Sequence, residues 1–566
     1  MTAISERSQT DWSPESEESI AEAGKAWAER HRDELGSGRK AEFTSSSGKT
    51  IEAVYTPANL PDFSYQRELG FPGDAPYTRG ATPAGYRKEL RNSEFYAGFG
   101  SAREANRRYR YLMAQGSTGG VSIALDLPTQ IGMDSDHPLA QRDIGVVGVA
   151  INGLQDVLDI FDGMELKKVG KIFTTGNAIG PIALAWFYAL AEAKGEDPRD
   201  VVVTVQNDPL KEYVARGTQF LPVETSVELA CDAVEFCIKH QLPWYPISVS
   251  GSHMKQAGGT CAQEAAFTLA NALGYADVLY RRGIPAEVFA PHFELHFCTD
   301  MDFFEEIAKY RVVRRVWSEL LKARYGAENV PARLHAATSR LPTAQQPMSN
   351  ISRITLQALA QVLGGVEQTR TASFDEGLAI PSENAVKISI RINQIIGHET
   401  GVADTVDPVG GSYYLEATTR AMYDEVWGIL AKVEEMGGAV EAVKSGYFAN
   451  ELGDGAYRQQ RELEEHERVI VGVNEFVDDE AAPIKVFKLD PEAAQRQRDR
   501  VREFKQQRDQ AAVAAALDRL RRDAEARVNS VPSVLAAVKV GATVGEISDV
   551  WRAAFGEYRQ EAGYLG

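Results

Sequence analysis

The chain has 566 residues, of which 44% are hydrophobic and 25% charged, as in an ordinary globular protein. Its formal net charge of -19 argues against non-specific attraction to nucleic acid or to anionic membranes. Four irregularly spaced cysteines exclude a disulfide framework, and scattered His, Asp and Glu predict no metal site. With no signal peptide and no apolar stretch that could span a bilayer, the sequence predicts a cytoplasmic protein.

The first 118 residues are predicted to lie outside the main domain. Residues 1–40 form a polar N-terminal arm with one helix in SIAEAGKAWAERHRDEL. This arm either packs on a neighbouring domain or subunit or stays partly disordered. Residues 41–118 are rich in glycine, proline and tyrosine, which predicts an irregular wrapping segment leading into the domain that follows.

Residues 119–416 alternate short apolar runs with helical patterns. We identify eight candidate strands, the last of them weaker: VSIALDL from 121, KIFTT from 171, VVVTVQ from 201, YPISVSG from 245, FAPHFELHF from 289, ARLHAAT from 332, VEQTRTASF from 366 and TVDPVGGSYYL near 405. Eight strands alternating with helices indicate an α/β protein built on a (β/α)8 TIM barrel. Residues 417–566 are predicted to be mainly helical, apart from a short strand or edge segment at VIVGVNEF.

Polar side chains follow several of these strands. They are Asp126, Gln206 to Asp208, Ser252 with His253, His335, and Asp375 with Glu376. The carboxyl ends of parallel strands meet at one face of a barrel, where α/β enzymes place their chemistry. We therefore predict that these side chains surround one mouth.

The candidate side chains each have a functional interpretation and a plainer one. His253 could bond a substrate carbonyl or act as an acid or base, or it could be satisfied by backbone groups. Arg216 could hold a carboxylate, or lie in solvent on its helix. Tyr96 could cover one end of the barrel, or be an ordinary core aromatic. Asp375 and Glu376 could bind a ribose hydroxyl, or cap a helix.

Several stretches, in one register, resemble the large, barrel-bearing subunit of the methylmalonyl-CoA mutase family. They are YAGFG from 96, GMDSDHP from 132, VQNDPLKEYVAR from 205, SGSHMKQAG from 250, AFTLAN from 266, FDEGLAIP from 374, DPVGGSYYLE from 407, VIVGVNEF from 469 and GATVGEISD from 541. The resemblance implies an isomerase, namely an adenosylcobalamin-dependent radical mutase that rearranges the carbon skeleton of an acyl-CoA. In such enzymes the cofactor supplies the radical, and the barrel orients the substrate and excludes water.

Carried over position by position, the resemblance implies roles for ten residues. Tyr96 matches the tyrosine that drives and cages the radical, and His253 matches the histidine that bonds the thioester carbonyl. Arg216 matches the arginine that pairs with a substrate carboxylate, which favours a carboxylated or otherwise polar acyl group. Further substrate contacts are implied for Gln206, Thr204 and Ser122, and cofactor contacts for Glu376, Gln256, Leu125 and Ala215.

The resemblance also implies a divided enzyme. None of the nine histidines stands in the Asp-x-His-x-x-Gly motif that supplies the lower cobalt ligand in fused relatives, so we expect no cobalamin-binding domain in this chain. Adenosylcobalamin is then expected to be shared with a separate small cobalamin-binding subunit in a heterotetramer. A chaperone GTPase is expected as a further partner.

The segment that winds around the coenzyme A tail in relatives has changed in this chain. Glu89 and Glu94 stand where relatives carry arginines, and EQTRTASF replaces the usual glutamine-serine and asparagine. Because carboxylates repel phosphates, these changes argue against the conventional grip on coenzyme A. Two alternatives therefore stand beside the acyl-CoA mutase: a mutase whose acyl group is bound to a carrier protein, and a catalytically silent barrel that only binds a partner.

Overall fold

The computed structural model describes residues 16–37, 40, 42–90, 93–117, 119–339, 343–478 and 492–559. Within these residues the fold is mixed α/β, and each of its nine strands runs parallel to its neighbours. None of the helices in these ranges is long and apolar enough to cross a membrane.

The strands are short, between two and seven residues each. They are β1 Ser93–Glu94, β2 Tyr96–Ala97, β3 Val121–Ile123, β4 Lys171–Thr175, β5 Val202–Gln206, β6 Ile247–Ser250, β7 Phe293–Thr299, β8 Leu334–Thr338 and β9 Gln368–Arg370. Apolar and β-branched residues dominate β4 to β7 because both faces of these strands are buried.

The helices fall mainly between the strands and after the last strand. They are α1 Glu17–Arg30, α2 Arg32–Gly36, α3 Ala102–Ala114, α4 Leu127–Gln130, α5 Leu154–Ile160, α6 Leu166–Val169, α7 Gly180–Lys194, α8 Pro209–Ala215, α9 Val223–Lys239, α10 Ser252–Gln256, α11 Cys261–Arg281, α12 Ala286–Phe289, α13 Phe303–Tyr325, α14 Asn350–Leu363, α15 Glu383–Glu399, α16 Tyr413–Glu435, α17 Ala439–Lys444, α18 Tyr447–Glu464, α19 Ala493–Gln507, α20 Gln510–Glu525, α21 Val531–Lys539 and α22 Val544–Phe555. The predicted N-terminal helix is confirmed by α1 and α2, and neither contains a buried residue.

The strands form two sheets. One has the order β1-β9-β8-β7-β6, and the other has the order β2-β3-β4-β5. The sheets approach each other at both ends, because only Phe95 separates β1 from β2, and Thr204 of β5 forms a parallel bridge with Tyr245. The seven predicted strands from 121 to 374 all contain an observed strand.

The predicted strand near 405 is wrong. Turns occupy this region, and α16 begins at Tyr413 after its N-cap Ser412. Asp407 has a positive φ of 52° and its carboxylate accepts a hydrogen bond from Arg311, so this segment turns away instead of pairing. The missing strand lies instead at 93–97, inside the segment that was predicted to be irregular. The VIVGVNEF stretch is also not a strand, because it forms only an isolated bridge between Val471 and Glu475.

The C-terminal helices cover the helices that follow the strands. Their apolar faces join two clusters: α20 to α22 pack with α3, α5 and α7, whereas α16 to α18 pack with α9, α11 and α13. Burial of these faces from water is the main force that holds the region in place.

Two of the quoted motifs, GMDSDHP and GATVGEISD, contact each other. Asp134 accepts hydrogen bonds from the Thr543 hydroxyl at 2.6 Å and from the Gly545 amide at 2.9 Å. Gly132 has a φ of 65°, and a Cβ there would lie 2.2 Å from the Ser548 hydroxyl oxygen. The last helix is therefore seated directly on the loop that follows β3.

Candidate functional site

A cavity of about 430 Å³ lies at the carboxyl ends of the strands. Its wall includes residues at or just after the ends of β2, β3, β4, β5, β6, β8 and β9. Seven of the ten predicted site residues line it: Tyr96, Leu125, Gln206, Arg216, His253, Gln256 and Glu376. The cavity has the position and the size expected of a ligand site in a parallel α/β protein.

Tyr96 lies in β2 and forms part of the cavity wall. Its hydroxyl is 3.3 Å from the Thr175 hydroxyl at the end of β4. The guanidinium carbon of Arg370, the last residue of β9, lies 4.7 Å from the centre of the Tyr96 ring. The ring is therefore held between two strands, with its position fixed by an aromatic-cation contact.

His253 is oriented by a buried lysine. The Lys211 Nζ lies 3.1 Å from His253 Nδ1 and 3.1 Å from Gln206 Oε1, and it also bonds the Glu212 carboxylate. Because an ammonium group can only donate, Nδ1 must accept, and the ring proton must then be on Nε2. The imidazole is thus set to donate a hydrogen bond from Nε2.

The Lys211 and Glu212 side chains are both completely buried. Burial lowers the pKa of Lys211, and the adjacent Glu212 carboxylate opposes this shift by stabilising the ammonium form. Burial alone would raise the pKa of Glu212, but Lys211 and Arg216 hold it below its usual value. Lys211 was not among the predicted site residues, and the only signal for it was its place in the first turn of α8, shortly after Gln206.

Gln206 is held at both ends of its amide. Its Oε1 accepts from Lys211, and its Nε2 lies 2.9 Å from His296 Nδ1. Burial lowers the pKa of His296 well below its usual value, so this imidazole is neutral at pH 7. The second Nε2 hydrogen of Gln206 remains as a donor at the cavity floor.

Arg216 ends α8 as its C-cap and lines the cavity. Its Nη1 lies 3.7 Å from Glu212 Oε1, which is an ion pair but too long for a hydrogen bond. This Nη1 is buried and has no hydrogen-bond partner among the described residues. A guanidinium in this state can bind a carboxylate from a ligand.

Of the four residues predicted to contact the cofactor, three line the cavity and Ala215 does not. Leu125 is buried directly after β3, and Gln256 has a buried Oε1 without a hydrogen-bond partner among the described residues. Glu376 is exposed on the turn after β9, where its Oε2 accepts from the Ser373 amide at 3.3 Å. Ala215 does not line the cavity and packs instead against the second apolar cluster.

Below the cavity, the space between the strands is filled by an ionic cluster that we call the axial plug. It consists of Glu94, Lys171, Glu294, Arg333, His335 and Gln368. His335 lies between the two acids, with Nε2 3.3 Å from Glu94 Oε1 and Nδ1 3.2 Å from Glu294 Oε1. Lys171 and Arg333 lie 3.4 and 3.3 Å from Glu294 Oε2.

Two sequence-based expectations fail at the plug. His335 is the second residue of β8 and is fully buried, so it does not lie at the mouth. Glu94 is 1% exposed, accepts a hydrogen bond from Gln368 and lies 3.3 Å from His335 Nε2, so its carboxylate does not face a bound nucleotide. Both errors arise because alternating strand residues point inward, and sequence alone does not show how deep an inward residue lies.

Ser122 and Thr204 also lie below the cavity wall. Both are fully buried, and Ser122 donates to Glu94 Oε1 over 3.4 Å. Phe173 lies in register with both residues, and its ring packs edge-on against His296 and His335, whose rings are stacked 4.3 Å apart. This layer and the axial plug close the cavity from below.

The chain matches known proteins over most of its length. A family model described as Methylmalonyl-CoA mutase matches residues 44–557. The chain is 38% identical over 528 residues to the 2-hydroxyisobutanoyl-CoA mutase large subunit of Aquincola tertiaricarbonis, which covers 92% of this chain and 93% of that relative. It is 36% identical over 516 residues to the methylmalonyl-CoA mutase of Rhizobium meliloti (strain 1021), with 90% and 72% covered.

A human enzyme is similar to this chain over a comparable length. The mitochondrial methylmalonyl-CoA mutase of Homo sapiens is 34% identical over 518 residues, which is 90% of this chain and 68% of that enzyme. Members of this family are cobalamin-dependent isomerases of the intramolecular transferase class. With the family match and the cavity described above, the chain belongs to the methylmalonyl-CoA mutase family.

Proposed function

We propose that this chain is the large subunit of an adenosylcobalamin-dependent mutase that rearranges a carboxylated or polar acyl-CoA. The observation that carries this proposal is that Tyr96, Gln206, Arg216 and His253, which are distant in sequence, line one cavity. A protein that only bound a partner would not need this combination of an aromatic ring, an oriented imidazole and a guanidinium whose buried Nη1 has no hydrogen-bond partner among the described residues.

We also infer that the two sheets are the two parts of one closed (β/α)8 barrel. The short strands β1 and β2 then act as one interrupted strand, and the bridge between Thr204 and Tyr245 joins the other edges. Side-chain contacts across the axis support this closure, since Lys171 of β4 contacts Glu294 of β7 and Gln368 of β9. The contacts of Phe173 with two histidines support it as well.

The residues at the mouth fit a cobalamin cofactor. The buried Gln256 oxygen has no donor among the residues that the structure describes, and the exposed Glu376 carboxylate can accept hydrogen bonds from ribose hydroxyls. When bound, adenosylcobalamin supplies the radical that removes a hydrogen atom from the substrate. We propose that a small cobalamin-binding subunit docks over this mouth, because the first relative described above is itself named a large subunit.

The side chains of this chain then orient the acyl group. Arg216 binds its carboxylate, and His253 donates from Nε2 to the thioester carbonyl oxygen. Lys211 keeps His253 in the required tautomer and fixes Gln206 beside it. The Tyr96 ring and the sealed floor exclude water from the reacting carbon atoms.

The axial plug bears on how the carrier of the acyl group is held. Paired charges of the axial plug fill the axis of the inferred barrel. A carrier attached to the bound acyl group must therefore extend out through the mouth of the cavity. Glu94 belongs to the plug, so only Glu89, which is exposed, remains to repel nucleotide phosphates. That exposed carboxylate keeps a carrier-protein-bound acyl group as the second candidate substrate.

The mutase is tested with the full-length chain, a small cobalamin-binding subunit and adenosylcobalamin. A panel of carboxylated and uncarboxylated acyl-CoA esters should include one that produces an electron paramagnetic resonance signal and an isomeric product. Silence across the whole panel would favour a barrel that only binds a partner. Once an acyl group is found, its turnover on coenzyme A and on a carrier protein can be compared, and faster turnover of the coenzyme A ester rejects the carrier alternative.

A further inference from the structure

Arg370 is a cation at the floor of the cavity. It ends β9, and its guanidinium carbon lies 4.7 Å from the Tyr96 ring centre and 5.6 Å from the Phe173 ring centre. Its Nη1 is buried without a hydrogen-bond partner, and Arg370 forms no ion pair within the described part of the chain. The two aromatic rings hold the guanidinium in place but do not neutralise it.

The acids that could pair with Arg370 are engaged elsewhere. Glu94 lies level with Arg370 on the neighbouring strand, but its carboxylate accepts a hydrogen bond from Gln368 and lies 3.3 Å from His335 Nε2. Glu294 is paired with Lys171 and Arg333 inside the axial plug. A guanidinium keeps its positive charge, so the buried Nη1 of Arg370, which has no hydrogen-bond partner among the described residues, can donate to an anionic ligand.

The cavity as a whole is cationic. Glu376 is the one acid among the described residues that line it, against three arginines, Arg108, Arg216 and Arg370. Arg216 and Arg370 each have a buried Nη1 without a hydrogen-bond partner among the described residues, whereas Arg108 donates to the Pro381 carbonyl and only its Nε is left without one. Arg216 also lies 3.7 Å from Glu212 in an ion pair. A ligand with a single negative charge satisfies only one of the two Nη1 groups.

We propose that Arg370 is a second anion-binding residue, and that the acyl group of the substrate carries two carboxylates, one bound by Arg216 and one by Arg370. The identification of the ligand as the substrate rests on the proposed function, whereas anion binding by Arg370 does not. Arg370 lines the cavity, and the planar fork of N–H donors on a guanidinium suits a planar carboxylate in a bidentate arrangement. The second carboxylate then lies beside the ring of Tyr96, close to the reacting carbon atoms.

Binding of glutarate and of its monomethyl ester, measured by calorimetry on the full-length chain, tests the proposal without cofactor or partner. We expect glutarate to bind about tenfold or more tightly than the ester. Arg370→Gln should remove this advantage and leave the affinity for the ester within about twofold, because the single carboxylate can still use Arg216. Arg216→Gln should behave in the same way, and the double variant should bind neither compound.

Arg370→Lys keeps the charge and should retain part of the advantage of glutarate. Arg103→Gln changes a side chain that is 79% exposed and should bind both compounds as the parent does. Circular dichroism of each variant confirms that it is folded. Equal affinity for glutarate and ester in the parent, no effect of Arg370→Gln on their ratio, or no binding of either at about 10 mM would each overturn the proposal.

The outcome is distinguishable from that of the mutase test. Preferential glutarate binding that depends on Arg370, without a radical signal for any acyl-CoA ester, would support the anion site and reject the mutase. A radical signal with an ester of a single charge, together with no effect of Arg370→Gln, would support the mutase and reject the second anion site.

Discussion

Lys211 joins the two side chains that we assign to the acyl group, His253 and Gln206. It sits on the first turn of α8, one turn before Arg216, so a single helix supplies both the carboxylate ligand and the group that sets the tautomer of the imidazole. The buried charge is compensated locally by Glu212, as a buried lysine requires.

Lys211→Met should lower kcat about 10- to 100-fold, because His253 Nδ1 loses its donor and the ring can adopt the wrong tautomer. KM should change less. The double variant Lys211→Met with Glu212→Gln removes the buried carboxylate, which the single change leaves with only the more distant Arg216 as a counter-ion, so it should recover thermal stability but not turnover. An unchanged kcat in a folded Lys211→Met variant would contradict the assigned role.

Arg216→Gln should lower kcat/KM for a carboxylated substrate about 10- to 100-fold, the effect of losing a charge-assisted pair. An uncarboxylated analogue of the same length should be turned over at nearly the parent rate. Steady-state kinetics on the two substrates gives the comparison, and Arg216→Lys, which keeps the charge but not the planar fork, should lie between. Equal losses for both substrates would mean that Arg216 has a structural role.

At the level of elements, several of the short strands carry charged residues on their inner face. β4, β7, β8 and β9 each contribute to the axial plug, so their pairing depends on electrostatic compensation as well as on apolar burial. Burial alone would raise the pKa of Glu294, but Lys171, His335 and Arg333 hold it well below its usual value. A carboxylate with a depressed pKa stabilises the fold above the unfolded pKa and loses this contribution as the pH falls through the folded value.

Glu294→Gln should lower the free energy of unfolding at pH 7 by about 3–5 kcal/mol, since Lys171 and Arg333 are left without their counter-ion. The difference from the parent should begin to shrink as the pH falls below about 4.5, where Glu294 of the unfolded parent takes up a proton, and should vanish once the pH has passed the lower pKa of the folded carboxylate. Denaturant titrations across this pH range measure both effects. Adding Lys171→Met should restore part of the loss, whereas a pH-independent difference would show that Glu294 is not ionised in the fold.

The strands also show where sequence patterns are informative. Runs such as VVVTVQ and FELHF stand out because both faces are buried, so apolar residues dominate. The strand at 93–97 contains Ser93, Glu94 and Tyr96 and is interrupted at Phe95, so it lacks the apolar run that marks the others. The stretch TVDPVGGSYYL near 405 does carry apolar and aromatic residues, but its Asp-Pro and Gly-Gly pairs lie in a region of turns.

At the level of the whole molecule, the C-terminal helices are tied to the mouth of the cavity through Asp134. This carboxylate accepts from Thr543 and Gly545 and lies 2.9 Å from the Lys505 ammonium, so it connects the loop after β3 with α19 and α22. Arg552 adds hydrogen bonds to the carbonyls of Ile131 and Gly132. These contacts fasten the last helix to the loop that directly follows Gln130, a residue of the cavity wall.

Asp134→Ala should lower the free energy of unfolding by about 2–4 kcal/mol, because buried donors lose their acceptor. It should also expose the C-terminal helices to limited proteolysis before the rest of the chain. Asp136→Ala is the matched control, since Asp136 contacts only Lys505 at a more exposed position and should cost no more than about 1 kcal/mol. Equal effects of the two substitutions would contradict the proposed tie.

The sequence by itself determined the family, most of the strands, and seven residues that meet at one cavity, because motifs and buried apolar runs are local properties of the chain. Only the tertiary structure decided which charges are buried and what pairs with them. Lys211 and Arg370 owe their properties to side chains that lie far away in sequence or across the sheet, such as His253 and Tyr96. Depth along an inward-facing strand likewise separates Gln206 at the cavity from Thr204 below it, although the two are only two residues apart.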